Sequence, residues 1–161
     1  MNRYRLVLFC LLALGLSPFA LQAATPPEKP IFDRDWIAGS TTAMGITGDM
    51  RMTPDSITFD GRVTYKLRFV AEIVPQKPIS EWRHIPSFSL YQAVDLEPRQ
   101  IRQGNSLCGG IDTAEPVYYF AIGHDAGSQR LIIIAFGDKT QPADINYSVK
   151  GVCGGYGYFT K

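Results

Sequence analysis

From Phe32 onward the hydrophobic and polar positions of the chain follow a dominant period of two. Ile46, Gly48, Met50 and Met52 alternate with Thr47, Asp49 and Arg51, which predicts a half-buried strand over 46–52. Thr53, Pro54 and Asp55 form a turn, 57–59 is a short strand, and Asp60-Gly61 is the dipeptide that a two-residue type I′ hairpin favours. Beyond it Val63, Tyr65, Leu67, Phe69, Ala71 and Ile73 alternate with Thr64, Lys66, Arg68 and Glu72, giving one apolar face and one wet face. Phe88, Leu90, Val94 and Leu96 continue the pattern until Pro98. VYYFAIG (117–123) and RLIIIAFG (130–137) flank HDAGSQ as a hairpin signal. LIIIAF is apolar on both faces, so it predicts a central or doubly covered strand. INYSVKG (145–151) and GYGYF (155–159) predict the last two short strands, and no window carries a helical period. The expected fold is all-β: a small antiparallel up-and-down barrel or sandwich of about 7 to 8 strands, in which closure removes exposed edges.

The N-terminus follows different rules. Arg3 and Arg5 precede an uncharged apolar run, 6–16, which Ser17 and Pro18 interrupt before the small residues Ala23 and Ala24. This is the three-part pattern of a secretory signal peptide, placed at 1–23. The run is shorter than the roughly 20 residues a permanent membrane helix needs, and no second such run follows. The expected product is a periplasmic or secreted protein with no permanent membrane span. It begins near Ala24, with a Pro-rich lead, TPPEKP (25–30), ahead of a single domain within 24–161.

Removing that segment takes the 16 basic residues to 14 against 15 acids, so the formal charge moves from +1 to −1. Nothing in this balance favours nucleic acid as a partner. Cys10 leaves with the signal, and Cys108 and Cys153 remain. Two thiols in an oxidising compartment are most simply one disulfide. Closing that loop restricts the unfolded chain enough to contribute about 4 kcal/mol on the chain-entropy model. Each cysteine precedes a Gly-Gly pair, in LCGGID (107–112) and VCGGYGY (152–158), a repetition consistent with a shared steric need beside the bond.

The runs DWIAGSTTAMGITGDMRMTPDSITF, FSLYQAVDL, LCGG, PVYYFAI, LIIIAF and VCGGYGY resemble a set of small exported proteobacterial proteins of uncharacterised activity. The resemblance covers most of the exported chain and implies no activity. More loosely, Trp36 near the start of the first strand is similar to the lipocalin (calycin) arrangement of an up-and-down barrel. Where that arrangement has a Gly two residues before the Trp, this chain has Arg34.

No catalytic constellation emerges. His84 and His124 are isolated and lack ligand spacing, so no metal site is expected. The pairs Asp33 with Asp35 and Glu72 with Glu81 read as solvated faces. GGYGYF is followed by no lysine and no helix, so it is no phosphate loop. No cofactor is implied.

Two functional classes compete. The first is a non-enzymatic protein-binding module, such as an inhibitor or immunity protein directed at a cell-envelope enzyme. Its support is PQKPISEWRHIP (75–86), which holds Trp82, Arg83 and His84 between prolines that reduce the ordering cost of binding. The second is a lipocalin-like carrier of a small apolar ligand, with Tyr65, Phe69, Phe88 and Tyr119 lining a cavity. An enclosed cavity above about 300 Å³ would favour the carrier, and a filled interior would favour the binder.

Overall fold

A computed structural model of the protein describes residues 31–77, 80–110 and 112–161. The segment expected to be a signal peptide (1–23) and the TPPEKP lead lie outside the described residues. The described residues form ten strands: β1 Arg34–Ala38, β2 Met50–Thr53, β3 Ser56–Phe59, β4 Val63–Ile73, β5 Phe88–Ala93, β6 Gly109–Gly110, β7 Thr113–Ala114, β8 Tyr119–Asp125, β9 Arg130–Phe136 and β10 Val152–Thr160. Eight of them close an antiparallel barrel in the order β1-β10-β9-β8-β5-β4-β3-β2, while β6 and β7 pair as a small ribbon inside the long loop after β5. Apart from that ribbon the strands follow one another as an up-and-down meander. Its two ends seal where Trp36 pairs with Thr160 and Ala38 with Tyr158.

Local chemistry sets the tight turns. Asp60 (φ 49°) and Gly61 (φ 63°) are both left-handed, and the Arg62 amide donates to the Phe59 carbonyl at 2.9 Å, as expected from the Asp-Gly signal. Two expected strands take other forms. The alternation over 46–52 is strand only from Met50 onward. Residues Ala43–Thr47 form a π-helical turn that buries Ala43 and Thr47 against the barrel, and the Thr47 hydroxyl meets the Tyr158 hydroxyl at 2.6 Å. INYSVKG is a looped segment whose Ile145 is fully buried while Tyr147 stays half exposed.

Side chains fill the barrel interior. Trp36, Met52, Ile57, Phe59, Tyr65, Tyr91, Phe120, Tyr156 and Tyr158 are each no more than 1% exposed and belong to one packed cluster. Edge-on aromatic pairs, Phe59 with Tyr65 at 6.0 Å and Tyr65 with Phe120 at 5.3 Å, run through it. A second apolar layer lies outside the barrel wall. Phe88, Leu90, Ala121, Ile134 and Phe136 face away from the interior cluster and pack against Trp82, Ile85 and Ile145. β9 therefore buries both faces, Leu131 and Ile133 inward and Ile134 and Phe136 outward, which accounts for its unbroken apolar run.

A bulge in β4 reverses one alternation. Phe69 stands opposite Tyr91, yet Ala71 stands opposite Leu90, so one extra residue is inserted. Ile73 consequently pairs with outward Phe88 and packs on the outer layer. Glu72 is exposed, as expected of the wet face, and stands opposite fully buried Ser89.

Candidate functional site

The outer layer is covered by two loops that reach it from opposite ends of the barrel. Loop 74–87 leaves β4 and returns in β5, and loop 137–151 joins β9 to β10. They meet at Asp144, whose carboxylate accepts from the Gln76 amide at 3.0 Å, the Ile145 amide at 2.8 Å and the Asn146 side chain at 2.8 Å. Partial burial pushes this carboxyl upward, but the three donors outweigh it and hold Asp144 below the usual carboxylate range. Asp138 is drawn down to about 2 by the Thr140 amide and then by Lys150, whose ammonium lies 3.1 Å away and closes the second loop.

Within this clasp Trp82 lies on a 3-10 turn, Ser80–Trp82, and is 8% exposed. Its ring packs 6.0 Å from Phe88 and 4.8 Å from Tyr147, and the Ile85 amide donates to its carbonyl. Arg83 and His84 follow on the exposed side, where the Arg83 Nε donates to the His84 Nε2 at 3.4 Å. The structure thus brings the three residues together with divided roles: Trp82 anchors the loop, and Arg83 and His84 face solvent. Beside them Asp125 has its carboxyl lowered chiefly by the Ser128 hydroxyl, against a burial effect, with the Ser128 and Gly127 amides and His84 assisting.

The four residues expected to line one cavity are split by the barrel wall. Tyr65 and Phe69 belong inside, Phe69 packing 5.6 Å from Tyr91, whereas Phe88 and Tyr119 belong to the outer layer. Burial pushes the Tyr65 hydroxyl up to about 12, opposed by Arg99, which stacks over its ring at 5.4 Å. Tyr91 is likewise raised to about 12 by burial, reinforced by Glu72 and opposed by Ser89.

Cys108 and Cys153 form the expected disulfide, with Cα atoms 5.0 Å apart. It ties the long loop after β5 to the start of β10. The two Gly-Gly pairs serve different needs. Gly109 is left-handed (φ 100°), and a Cβ there would lie 1.8 Å from the Thr113 carbonyl oxygen, so only glycine can close the β6–β7 ribbon. Gly155 instead leaves space for a ring, since a Cβ there would meet the Tyr147 hydroxyl at 2.8 Å.

Sequence reasoning missed Glu72, Asp144 and Tyr147. Glu72 accepts from the Ser89 hydroxyl at 2.6 Å and from the Ser87 hydroxyl at 3.0 Å, bracing the base of loop 74–87 across the strand pair. Its pairing with Ser89 depends on the bulge, and no residue type signals that bulge. Asp144 and Tyr147 carry only the ordinary spelling of a polar loop.

Fold and site together define a closed eight-stranded up-and-down barrel with a packed interior and a clasped outer loop. Comparison with known families, characterised proteins and solved structures finds no match to this chain.

Proposed function

We propose that the protein is an exported, non-enzymatic binding module of the cell envelope, acting as an inhibitor or immunity protein against an envelope enzyme. The observation that carries this reading is the pairing of a filled barrel with a pre-ordered loop. Trp82 packs on Tyr147 and Gln76 is bonded to Asp144, so the described parts of the loop, 74–77 and 80–87, are anchored and Arg83 and His84 are offered to a partner at little ordering cost. The carrier reading draws less support, because side chains occupy the interior and Phe88 and Tyr119 lie on the far side of the wall from Tyr65 and Phe69.

The test is a pull-down from periplasmic extract using the wild-type protein and an Arg83→Ala/His84→Ala double variant. Both residues are exposed, so the variant keeps the fold. A partner enzyme retained by wild type and lost with the variant, and inhibited only by wild type, supports the proposal. A partner held equally by both, or none, removes loop 74–87 as the recognition element.

A further inference from the structure

The disulfide joins two cysteines of opposite exposure. Cys108 is 1% exposed and belongs to the interior cluster, while Cys153 is exposed at the start of β10. We infer that thiol–disulfide exchange with an external thiol enters the folded protein only at Cys153, and that Cys108 acts as a buried resolving thiol that recloses the bond.

A bulge sets Cys153 apart. Val152 stands opposite Phe136 and Gly154 opposite Ala135, so Cys153 is the extra residue, without a ladder partner of its own. Cys108 is fixed from several sides. Its carbonyl accepts from the Ser106 hydroxyl at 2.6 Å and the Glu115 amide at 2.9 Å, and the neighbouring Leu107 carbonyl accepts from the buried Tyr156 hydroxyl at 3.0 Å. Gly137 closes one flank of the bond: a Cβ there would lie 3.0 Å from Cys153 Sγ and 3.4 Å from Cys108 Sγ.

Exchange requires an incoming thiolate to touch the sulfur it attacks. Burial denies that contact at Cys108. At Cys153 the thiolate forms a new S–S bond with Sγ, and Cys108 Sγ departs with the electron pair of the bond that breaks. The departing thiolate is released among apolar side chains, which disfavours its charge. It also stays beside the mixed disulfide, because the Ser106, Glu115 and Tyr156 bonds and the burial of Ile101 and Leu107 keep the loop on the barrel. Attack by Cys108 on Cys153 Sγ then expels the external thiolate and restores the original bond, with no net oxidation or reduction of either partner. The disulfide is thereby a self-resealing latch on the long loop after β5.

The test incubates the folded protein with excess reduced glutathione, quenches with acid and maps peptides by mass, so that any adduct is assigned to its own cysteine, Cys10 included. The adduct should map to Cys153 and not to Cys108, and removing glutathione at neutral pH should return the closed disulfide. An adduct on Cys108, or on neither of the two, would overturn the inference. Oxidised glutathione then compares the two thiols singly. In Cys108→Ala the Cys153 adduct should form and persist. In Cys153→Ala, modification of Cys108 should be about 100-fold slower, because it waits for local opening of the loop, and denaturant should remove the difference. Equal rates in the two folded variants would also sink the inference. Near-UV circular dichroism establishes that each variant is folded, and the wild-type map stands without them.

Discussion

Replacing Trp82 with alanine separates the two apolar layers of this protein. Trp82 is 8% exposed and touches Phe88, Tyr147 and the backbone at Gly155, so truncation removes most of what holds loop 74–87 on the barrel wall. Large aromatic truncations in cores cost about 3 to 5 kcal/mol. Because Trp82 sits in the outer layer, where an exposed loop can partly collapse into the space, the lower figure of about 3 kcal/mol applies. The loss falls on a local opening, since the interior cluster does not include Trp82. A local cost of about 3 kcal/mol raises the open population about 100-fold. The assay is native-state hydrogen exchange at the Gln76 amide, bonded to Asp144, and the Ile85 amide, bonded to the Trp82 carbonyl. Both should exchange about 100-fold faster in Trp82→Ala, with the β8–β9 ladder changing far less. Exchange within about threefold of wild type at both amides would refute the claim that Trp82 anchors the loop.

Three further outcomes follow from the same contacts. A Cys108→Ala/Cys153→Ala variant should lose about 4 kcal/mol by denaturant titration, and a thiol label should modify wild type only after reduction; rapid labelling of untreated protein would contradict the bond. Asp138 at about 2, and Asp144 and Asp125 below the ordinary range, contribute stability fully present above the unfolded carboxylate pKa of about 4 and lost as pH falls toward about 2. The urea midpoint should hold from pH 7 to about 5 and drop below about 4, less steeply in Asp138→Asn; an equal drop in that variant would remove Asp138 from the account. Gly109→Ala, with its Cβ 1.8 Å from Thr113 O at φ 100°, should cost at least 1 to 3 kcal/mol, roughly the strain of a forbidden backbone, whereas Gly157→Ala should stay within about 0.5 kcal/mol. Equal tolerance at both sites would mean that the ribbon backbone yields.

Much of the barrel was legible in the chain, and the misses share a cause. Alternation located β4 and β5, because a strand between a packed interior and solvent repeats every two residues, while a hairpin signal marked β8 and β9 and the unbroken apolar run marked β9 as doubly covered. The same rule misread 46–49, where Thr47 turns inward from a π-helical turn to reach Tyr158 across the barrel. INYSVKG, which holds Ile145 and Tyr147, reads as a short strand in the sequence. They in fact serve the outer layer from a loop, Ile145 buried and Tyr147 on Trp82. Of the candidate site, the stretch holding Trp82, Arg83 and His84 was visible from its prolines and aromatic. The division into a buried anchor and exposed heads was not, because burial of Trp82 depends on Tyr147 and Phe88, which lie 65 and 6 positions away in the sequence.

The sequence by itself determined the all-β character, the Asp-Gly turn, the doubly covered strand β9 and the disulfide, since each rests on a local spelling or on a count of cysteines. Tertiary structure alone decided the pairing beyond the β4 bulge, hence the bond between exposed Glu72 and buried Ser89. It also decided that the aromatics divide between two layers and that Arg130 stands over Phe159. The physical reason is register: one inserted residue inverts every side chain that follows it, and pairing across the barrel joins residues whose separation along the chain carries no trace of their contact.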